Sequence, residues 1–449
     1  MIRILQGDCR EVLATLPAKS VQCCVTSPPY WGLRDYQVPA TVWGGDPACD
    51  HEWGDLIKIN ATNHTRNGRD EAQPVEKRVA WLRTPVPQGK FCQRCNAWAG
   101  ALGLEPTPDL FVGHLVEVFR EVWRVLRDDG TLWMNLGDSY AAQGGAHGGR
   151  SDNQTGVGAR RVHEAGSGDQ TARVPPSGIK AKDLIGIPWM TAFALRADGW
   201  YLRSDVIWHK PNPMPESVTD RPTQAHEHVF LLTKSPKYFY DAEAIREEGV
   251  IPAGTRAAKG SNARSGLKDV NGRPPEYWNY TGKRNARNVW SIATQPFPDA
   301  HFATFAPELA ERCIKAGTSE GGCCPACGAP LERQTERHIE MASGSGKSGR
   351  KPIGKGAGGE QTESGSYDIR LGPVVRSVTM GWQQGCTCSP SPPVPCTVLD
   401  PFGGAGTTGL VADRLKRDAV LIELNPEYAA MAGRRLTKDA GLFAEVGTV

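Results

Sequence analysis

No run of apolar residues in this 449-residue chain is long enough to cross a bilayer, and no charged n-region leads into an apolar segment at its start. A cytoplasmic protein without a membrane partner is expected. Net charge is also scarce. The 52 Lys and Arg against 49 Asp and Glu leave only +3, so bulk charge identifies no nucleic-acid partner and its distribution matters more. A triphosphate loop is missing, because no Lys precedes Thr407 in the stretch Gly403-Gly404-Ala405-Gly406-Thr407, which disfavours nucleotide triphosphate binding. The length accommodates one α/β core of about 250 residues with room for sizeable additions.

Thr26-Ser27-Pro28-Pro29-Tyr30 comes straight off the apolar run Val21-Gln22-Cys23-Cys24-Val25. Two consecutive prolines fix φ and remove two backbone donors, so the carbonyls beside them escape a strand ladder and can accept from a ligand. Ser27 adds a hydroxyl acceptor and Tyr30 an aromatic face, a set suited to the exocyclic amine of a base turned out of a duplex. Taken alone, the tetrapeptide reads equally as a Pro-Pro turn after a buried strand.

Near the other end, the apolar Val398-Leu399 runs into Asp400-Pro401-Phe402-Gly403-Gly404-Ala405-Gly406-Thr407 and then a helix over 410–415. A strand, a Gly-rich turn and a helix let the backbone approach a nucleoside closely and aim helix N–H groups at it. The next apolar strand, Ala419-Val420-Leu421-Ile422, ends in Glu423-Leu424-Asn425-Pro426. An acid at that strand tip is where a ribose diol is held in doubly wound nucleotide folds.

This pair of motifs resembles the S-adenosylmethionine-dependent DNA amino-methyltransferases, and the order, Ser-Pro-Pro-Tyr first and the Gly-rich turn last, resembles their permuted β-type members. Protein-glutamine methyltransferases carry a related Asn-Pro-Pro-Tyr but place the cofactor motif first. The resemblance implies an α/β fold with a doubly wound, Rossmann-like sheet. It implies a catalytic set of Ser27, Pro28, Pro29 and Tyr30. S-adenosyl-L-methionine would be held by Asp8, Asp400, Pro401, Phe402, Gly404, Gly406, Thr407, Glu423 and Asn425, with Asp8 accepting from the adenine amino group. Ile2 to Gln6 reads as a strand, followed by a helical stretch with Val12, Leu13 and Leu16; Leu115, Val118, Val122, Val125 and Leu126 recur at helical spacing before a strand from Thr131 to Leu136. Trp208 to Pro215 and Glu227 to Ser235 match the family's later strand pair and Lys-Pro-Asn loop, and His301 to Leu309 resembles the segment closing the methionine end of the pocket.

In that family Ser27 and the Pro28 carbonyl would accept the two amine hydrogens while Tyr30 stacks on the base. Carbon-5 methylation needs a thiolate in a Pro-Cys motif, and Pro395-Cys396 runs directly into the cofactor strand. Ser at the first motif position favours N4 of cytosine, with N6 of adenine the alternative. A non-catalytic zinc-containing DNA-binding protein is the reading from another class. The expected partner is double-stranded DNA, with either a cognate restriction endonuclease or none. Arg34 and Asp35 either line the base pocket or form a salt-bridged turn.

Thirteen cysteines are unevenly placed. Cys49, His51, Cys92 and Cys95 would make one tetrahedral zinc set and Cys324, Cys327, Cys386 and Cys388 a second, with Cys323 an alternative ligand; the other reading is buried or solvent-facing free thiols. Cys9, Cys23, Cys24, Cys313 and Cys396 lie in apolar contexts and are expected in the core. Between 251 and 290, Arg256, Lys259, Arg264, Lys268, Arg273, Lys283, Arg284 and Arg287 face only Asp269 and Glu276, with Tyr277, Trp278 and Tyr280 interleaved. This is either a target-recognition segment that neutralises phosphates or a solvated loop.

The expected organisation is a catalytic-motif half of the core at 1–36 and an insertion with the first zinc set at 37–108. The core continues at 109–250 around a Gly-rich loop at 141–178. Target recognition follows at 251–290 and a core segment near the cofactor at 291–320. An insertion with the second zinc set spans 321–394, including the Gly, Ser and Lys-rich stretch 344–366, and the cofactor half occupies 395–449.

Overall fold

The computed structural model describes residues 1–32, 36, 38–59, 86–87, 89–141, 179–180, 182–248, 283–295, 305–340, 374–440 and 446–448. Arg34, Asp35, His301, the loop at 142–178, the basic stretch at 251–282 and the stretch 344–366 lie outside these residues.

A nine-stranded sheet forms the centre. Its strands are β1 (Ile2–Gln6), β2 (Val21–Thr26), β3 (Leu126–Leu136), β4 (Tyr201–His209), β5 (His226–Thr233), β6 (Val289–Ser291), β7 (Thr397–Asp400), β8 (Asp418–Glu423) and β9 (Val446–Thr448), in the order β6-β4-β5-β3-β2-β7-β8-β1-β9. The pairs from β3 through β2, β7, β8 and β1 to β9 are all parallel, whereas β5 runs antiparallel to both β3 and β4. Every residue of β2 is buried, as a parallel strand covered on both faces requires. Its side chains alternate: Cys24 joins the core on one face, while Cys23 and Val25 join the core on the other.

Helices cover both faces. Three of them, α1 (Cys9–Thr15), α2 (Pro108–Val125) and α3 (Ile187–Ala197), contribute to the first core; α4 (Pro307–Gly317), α5 (Thr407–Arg414) and α6 (Pro426–Ala440) contribute to the second. In α2, Pro108 begins a helix capped by Thr107, whose hydroxyl accepts from Leu110 N at 3.2 Å. Phe111, Leu115, Val118, Phe119 and Val122 then form one buried stripe, each such side chain contributing about 1.5–3 kcal/mol on burial. The five cysteines expected in the core, Cys9, Cys23, Cys24, Cys313 and Cys396, are all buried. Among the described residues, no helix is long and apolar enough to cross a membrane.

Two details differ from the sequence reading. Leu16 lies just past α1 in extended conformation, although it is buried as the spacing predicted. The helix after the Gly-rich turn begins at Thr407, three positions before 410, because Gly406 takes the left-handed conformation at φ 75° and starts the helix at once. The insertions also carry unanticipated strands. Thr41–Trp43, Trp98–Gly100 and Lys90–Phe91 form a small three-stranded sheet, and Glu332–Glu340 pairs with Val374–Gln383.

Candidate active site

The neighbouring strands β2, β7 and β8 run parallel, so Ser27, Asp400 and Glu423 come to one edge of the sheet despite their distance in sequence. At β2 the ladder stops where Pro28 and Pro29 withdraw their backbone donors. Ser27 Oγ lies 3.4 Å from Asn135 Oδ1 and 3.5 Å from Tyr30 Oη. The Tyr30 phenol has one hydrogen and two acceptors, Glu227 Oε2 at 2.7 Å and Asn135 Oδ1 at 3.0 Å; the shorter distance favours Glu227. Burial and the Glu227 carboxylate push the phenol well above its ordinary range, so Tyr30 stays protonated.

Asn135 and Glu227 were not singled out in the sequence, nor was the contribution of Lys210 beyond its loop. Asn135 Nδ2 donates to Glu227 Oε2 at 3.0 Å and to His228 O at 3.1 Å, which turns Oδ1 toward Ser27. Glu227 Oε1 accepts from Lys210 Nζ in a largely buried ion pair. A buried Asn at the end of the apolar strand Leu132-Trp133-Met134 was the available signal, since such an amide needs a specific set of partners.

At β7, Asp400 is a hub. Its Oδ1 accepts from Thr26 Oγ1 at 2.7 Å and Phe402 N at 3.1 Å, and its Oδ2 accepts from Thr408 Oγ1 at 2.7 Å. Burial raises the Asp400 carboxyl above its usual range, against these three donors. Pro401 and Phe402 open the turn, with Phe402 packed against the first core. Gly404 at φ 48° and Gly406 at φ 75° adopt the left-handed region. A Cβ on Gly406 would come within 2.9 Å of Ala432 Cβ. Thr407 is buried with its hydroxyl accepting from Arg435 at 2.9 Å.

Glu423 is fixed at both oxygens, by Asn425 N on Oε1 and Gly404 N on Oε2, each at 2.8 Å. Each oxygen retains a lone pair, so the carboxylate fits the two hydroxyls of a ribose diol. Asn425 also accepts from Glu427 N at 2.9 Å, capping the start of α6 and holding the strand-to-helix turn. Asp8 caps α1 and takes the Arg10 guanidinium at 2.8 and 3.1 Å; burial opposes ionisation, but Arg10 holds the carboxyl below its ordinary range. Gly7 N donates to Glu423 O at 3.0 Å, which brings Asp8 next to the β8 tip.

Both cysteine sets assemble. In each of Cys49, His51, Cys92, Cys95 and Cys324, Cys327, Cys386, Cys388, the donor atoms all lie within 4.8 Å of one another. Three thiols with an imidazole, and four thiols, at that spacing both suit Zn2+. In the first set, burial raises the Cys92 thiol, but the N–H groups of Cys95 and Arg94 and the His51 ring bring it down to about 6. In the second, the N–H groups of Cys327 and Ala326 bring Cys324 down to about 7. Cys323 stands apart, its thiol 3.6 Å from Pro395 O. At the described end of the basic segment, Glu247 pairs with both Arg284 and Arg287, at 3.3 and 3.0 Å.

A family profile described as DNA methylase matches residues 21–324 and 396–434. Type II methyltransferase M.Cfr9I of Citrobacter freundii is 35% identical over 434 residues, covering 96% of this chain and 87% of that protein. Type II methyltransferase M.SmaI of Serratia marcescens is 31% identical over 437 residues, covering 97% of this chain and 91% of that protein. Among solved structures, the PvuII DNA methyltransferase (cytosine-N4-specific) aligns at a TM-score of 0.44 and 14% identity, covering 97% of this chain and 86% of that one. The chain belongs to the N6/N4 DNA methylase family, the S-adenosylmethionine-dependent methyltransferases of exocyclic amines in DNA.

Proposed function

We propose that the protein methylates N4 of a cytosine turned out of double-stranded DNA, as the modification enzyme of a type II restriction-modification system. The carrying observation is the adjacency of β2 and β7, which sets the Ser27 turn beside the Gly404–Gly406 turn at one sheet edge. An amine acceptor and a nucleoside pocket at neighbouring strand ends are the two halves a methyl transfer needs. Glu423 holds the ribose diol and Asp8 the adenine edge, with Gly404 and Gly406 admitting the cofactor backbone. When bound, S-adenosylmethionine supplies an electrophilic sulfonium methyl.

A ring amine is a poor nucleophile because its lone pair is delocalised into the base. Ser27 Oγ and the Pro28 carbonyl accept its two hydrogens and tilt the lone pair out of the ring plane, while Tyr30 stacks on the base. For Ser27 to accept, its own hydrogen must point elsewhere, and Asn135 Oδ1 at 3.4 Å offers that acceptor. Asn135 is thus a positioning residue, and Glu227 positions both Asn135 and Tyr30. The uncharged, short Ser27 supports cytosine over adenine, although a hydroxyl can serve either amine. Each four-donor cysteine set holds a structural Zn2+. Digesting methylated DNA to nucleosides and weighing the products tests the target base: N4-methylcytosine is expected, and N6-methyladenine alone would overturn the cytosine assignment.

A further inference from the structure

Among the described residues, the first cysteine set sits in a module with very little sheet of its own. Its sheet has strands of three, two and three residues, at Thr41–Trp43, Lys90–Phe91 and Trp98–Gly100. Strands this short bury little apolar surface, and a metal held by four side chains is the kind of staple that holds such a sheet together. Trp43 pairs with Trp98 across the sheet, so the strand leading to Cys49 and the strand leaving Cys95 are tied together at the cluster.

Both strands are linked toward the active site through intervening side chains. On the cofactor side, the Arg10 guanidinium lies 3.6 Å from the Trp43 ring centre and donates to Val42 O at 3.0 Å, while the same side chain grips Asp8. On the base side, the Trp43 and Trp98 rings both stack on His114, at 4.7 and 5.3 Å. His114 Nδ1 lies 2.9 Å from the fully buried Glu105, whose other oxygen accepts from Gly103 N at 2.8 Å. Gly103 O then accepts from Gly32 N at 2.8 Å, and Glu105 O accepts from Trp31 Nε1 at 2.9 Å. Trp31 and Gly32 directly follow the Ser27–Tyr30 turn.

We infer that the metal held by Cys49, His51, Cys92 and Cys95 positions the base-accepting turn for methyl transfer, through Trp43, Trp98 and the Gly103–Glu105 segment. This rests on reading Ser27–Tyr30 as that turn. Among the described residues, the second cysteine set is tied instead to the opposite end of the strands, by Arg127 at the start of β3, which donates to Cys327 O, and by Gln22 at the start of β2, which donates to Gly328 O at 2.9 Å.

The test uses the full chain purified with zinc, its Cys95→Ser and Cys327→Ser variants, metal analysis and amide exchange. Each variant should lose about one zinc ion. Cys95→Ser should raise exchange at the Gly32 and Gly103 amides at least about tenfold and lower kcat by a similar factor, whereas Cys327→Ser should leave Gly32 protection unchanged. Cys95→His, which restores a ligand, should recover both the zinc and the protection. Should Cys95→Ser fail to fold, graded chelation of the native protein reads the same amides as the first zinc leaves. Full zinc content in Cys95→Ser would refute the ligand set. Zinc loss with unchanged Gly32 protection, by variant or chelation, would refute the positioning role. Zinc loss with Gly32 deprotection in a chain whose native form transfers no methyl would leave the mechanical link standing and remove the reading of the turn.

Discussion

The Thr26 hydroxyl donates to the buried Asp400 carboxylate at 2.7 Å across 374 residues of sequence, tying the strand that ends in Ser27 to the strand that opens the Gly-rich turn. Thr408 grips the other oxygen of Asp400 at 2.7 Å, so one carboxylate sets the spacing of both turns. All three donors that Asp400 takes, Thr26, Phe402 and Thr408, come from the protein and join the two halves of the site.

Removing one of those donors leaves a buried carboxylate partly unsatisfied. Thr26→Val should cost about 1–3 kcal/mol of stability in denaturant unfolding. Thr408→Val should cost a similar amount, and the double variant should depart from additivity because the two hydroxyls bind the two oxygens of one carboxylate.

Cofactor affinity should depend on pH through Glu423. Burial raises this carboxyl above its ordinary 4.5, against the donors Asn425 N and Gly404 N. A ribose diol donates to the ionised form, so affinity is complete above the raised value and is lost as pH falls through it. Without cofactor the sign reverses: the folded state holds the proton more tightly, so this group's contribution to stability falls as pH rises from 4.5 through the raised value. Calorimetric titration between about pH 5 and pH 8 should show affinity weakening on acidification, and a flattened profile in Glu423→Gln. A parallel decline in both proteins would assign the effect to another group.

Asn135→Ala should lower kcat by about one to two orders of magnitude with little change in the KM for S-adenosylmethionine, because the amide orients the Ser27 hydroxyl and lies on the base side of the site. Asn135→Ser keeps an oxygen at this position and should recover part of the loss. A rise in KM with kcat unchanged would place Asn135 in cofactor binding instead.

Metal analysis of the native chain should return about two zinc ions. Cys327→Ser should return about one and lower the Tm, because the released Cys324–Gly328 turn carries the Cys327 and Gly328 carbonyls that Arg127 and Gln22 hold. A zinc-free preparation of native stability would contradict both centres.

Much of this was legible in the sequence because it rests on local chemistry. Two prolines after an apolar strand and glycines before a helix declare turns wherever they occur, and Cys-x-x-Cys spacing fixes its own geometry. The β2 and β7 strands were readable as apolar runs, and the resemblance implied that they share a sheet. The Asn135–Glu227–Lys210 network was not legible, since its members sit on β3, on β5 and just past the end of β4, and only the sheet order brings these together. Nor was the engagement of Asp400 with Thr26, because a carboxylate beside a Gly-rich turn looks the same whether it faces a ligand or a threonine. The pairing of Glu332–Glu340 with Val374–Gln383 was hidden by charged and polar residues that interrupt a strand pattern.

The central claim is that the Ser27 turn performs the transfer while the Glu423 pocket holds the donor. Tritium transfer from labelled S-adenosylmethionine to mixed-sequence double-stranded DNA, run on the native protein and Ser27→Ala alongside cofactor binding, tests it most directly. The account predicts labelled DNA from the native protein, with transfer by Ser27→Ala lower by orders of magnitude at unchanged cofactor affinity. Equal labelling by the two proteins, or equal loss of transfer and binding in the variant, would contradict it.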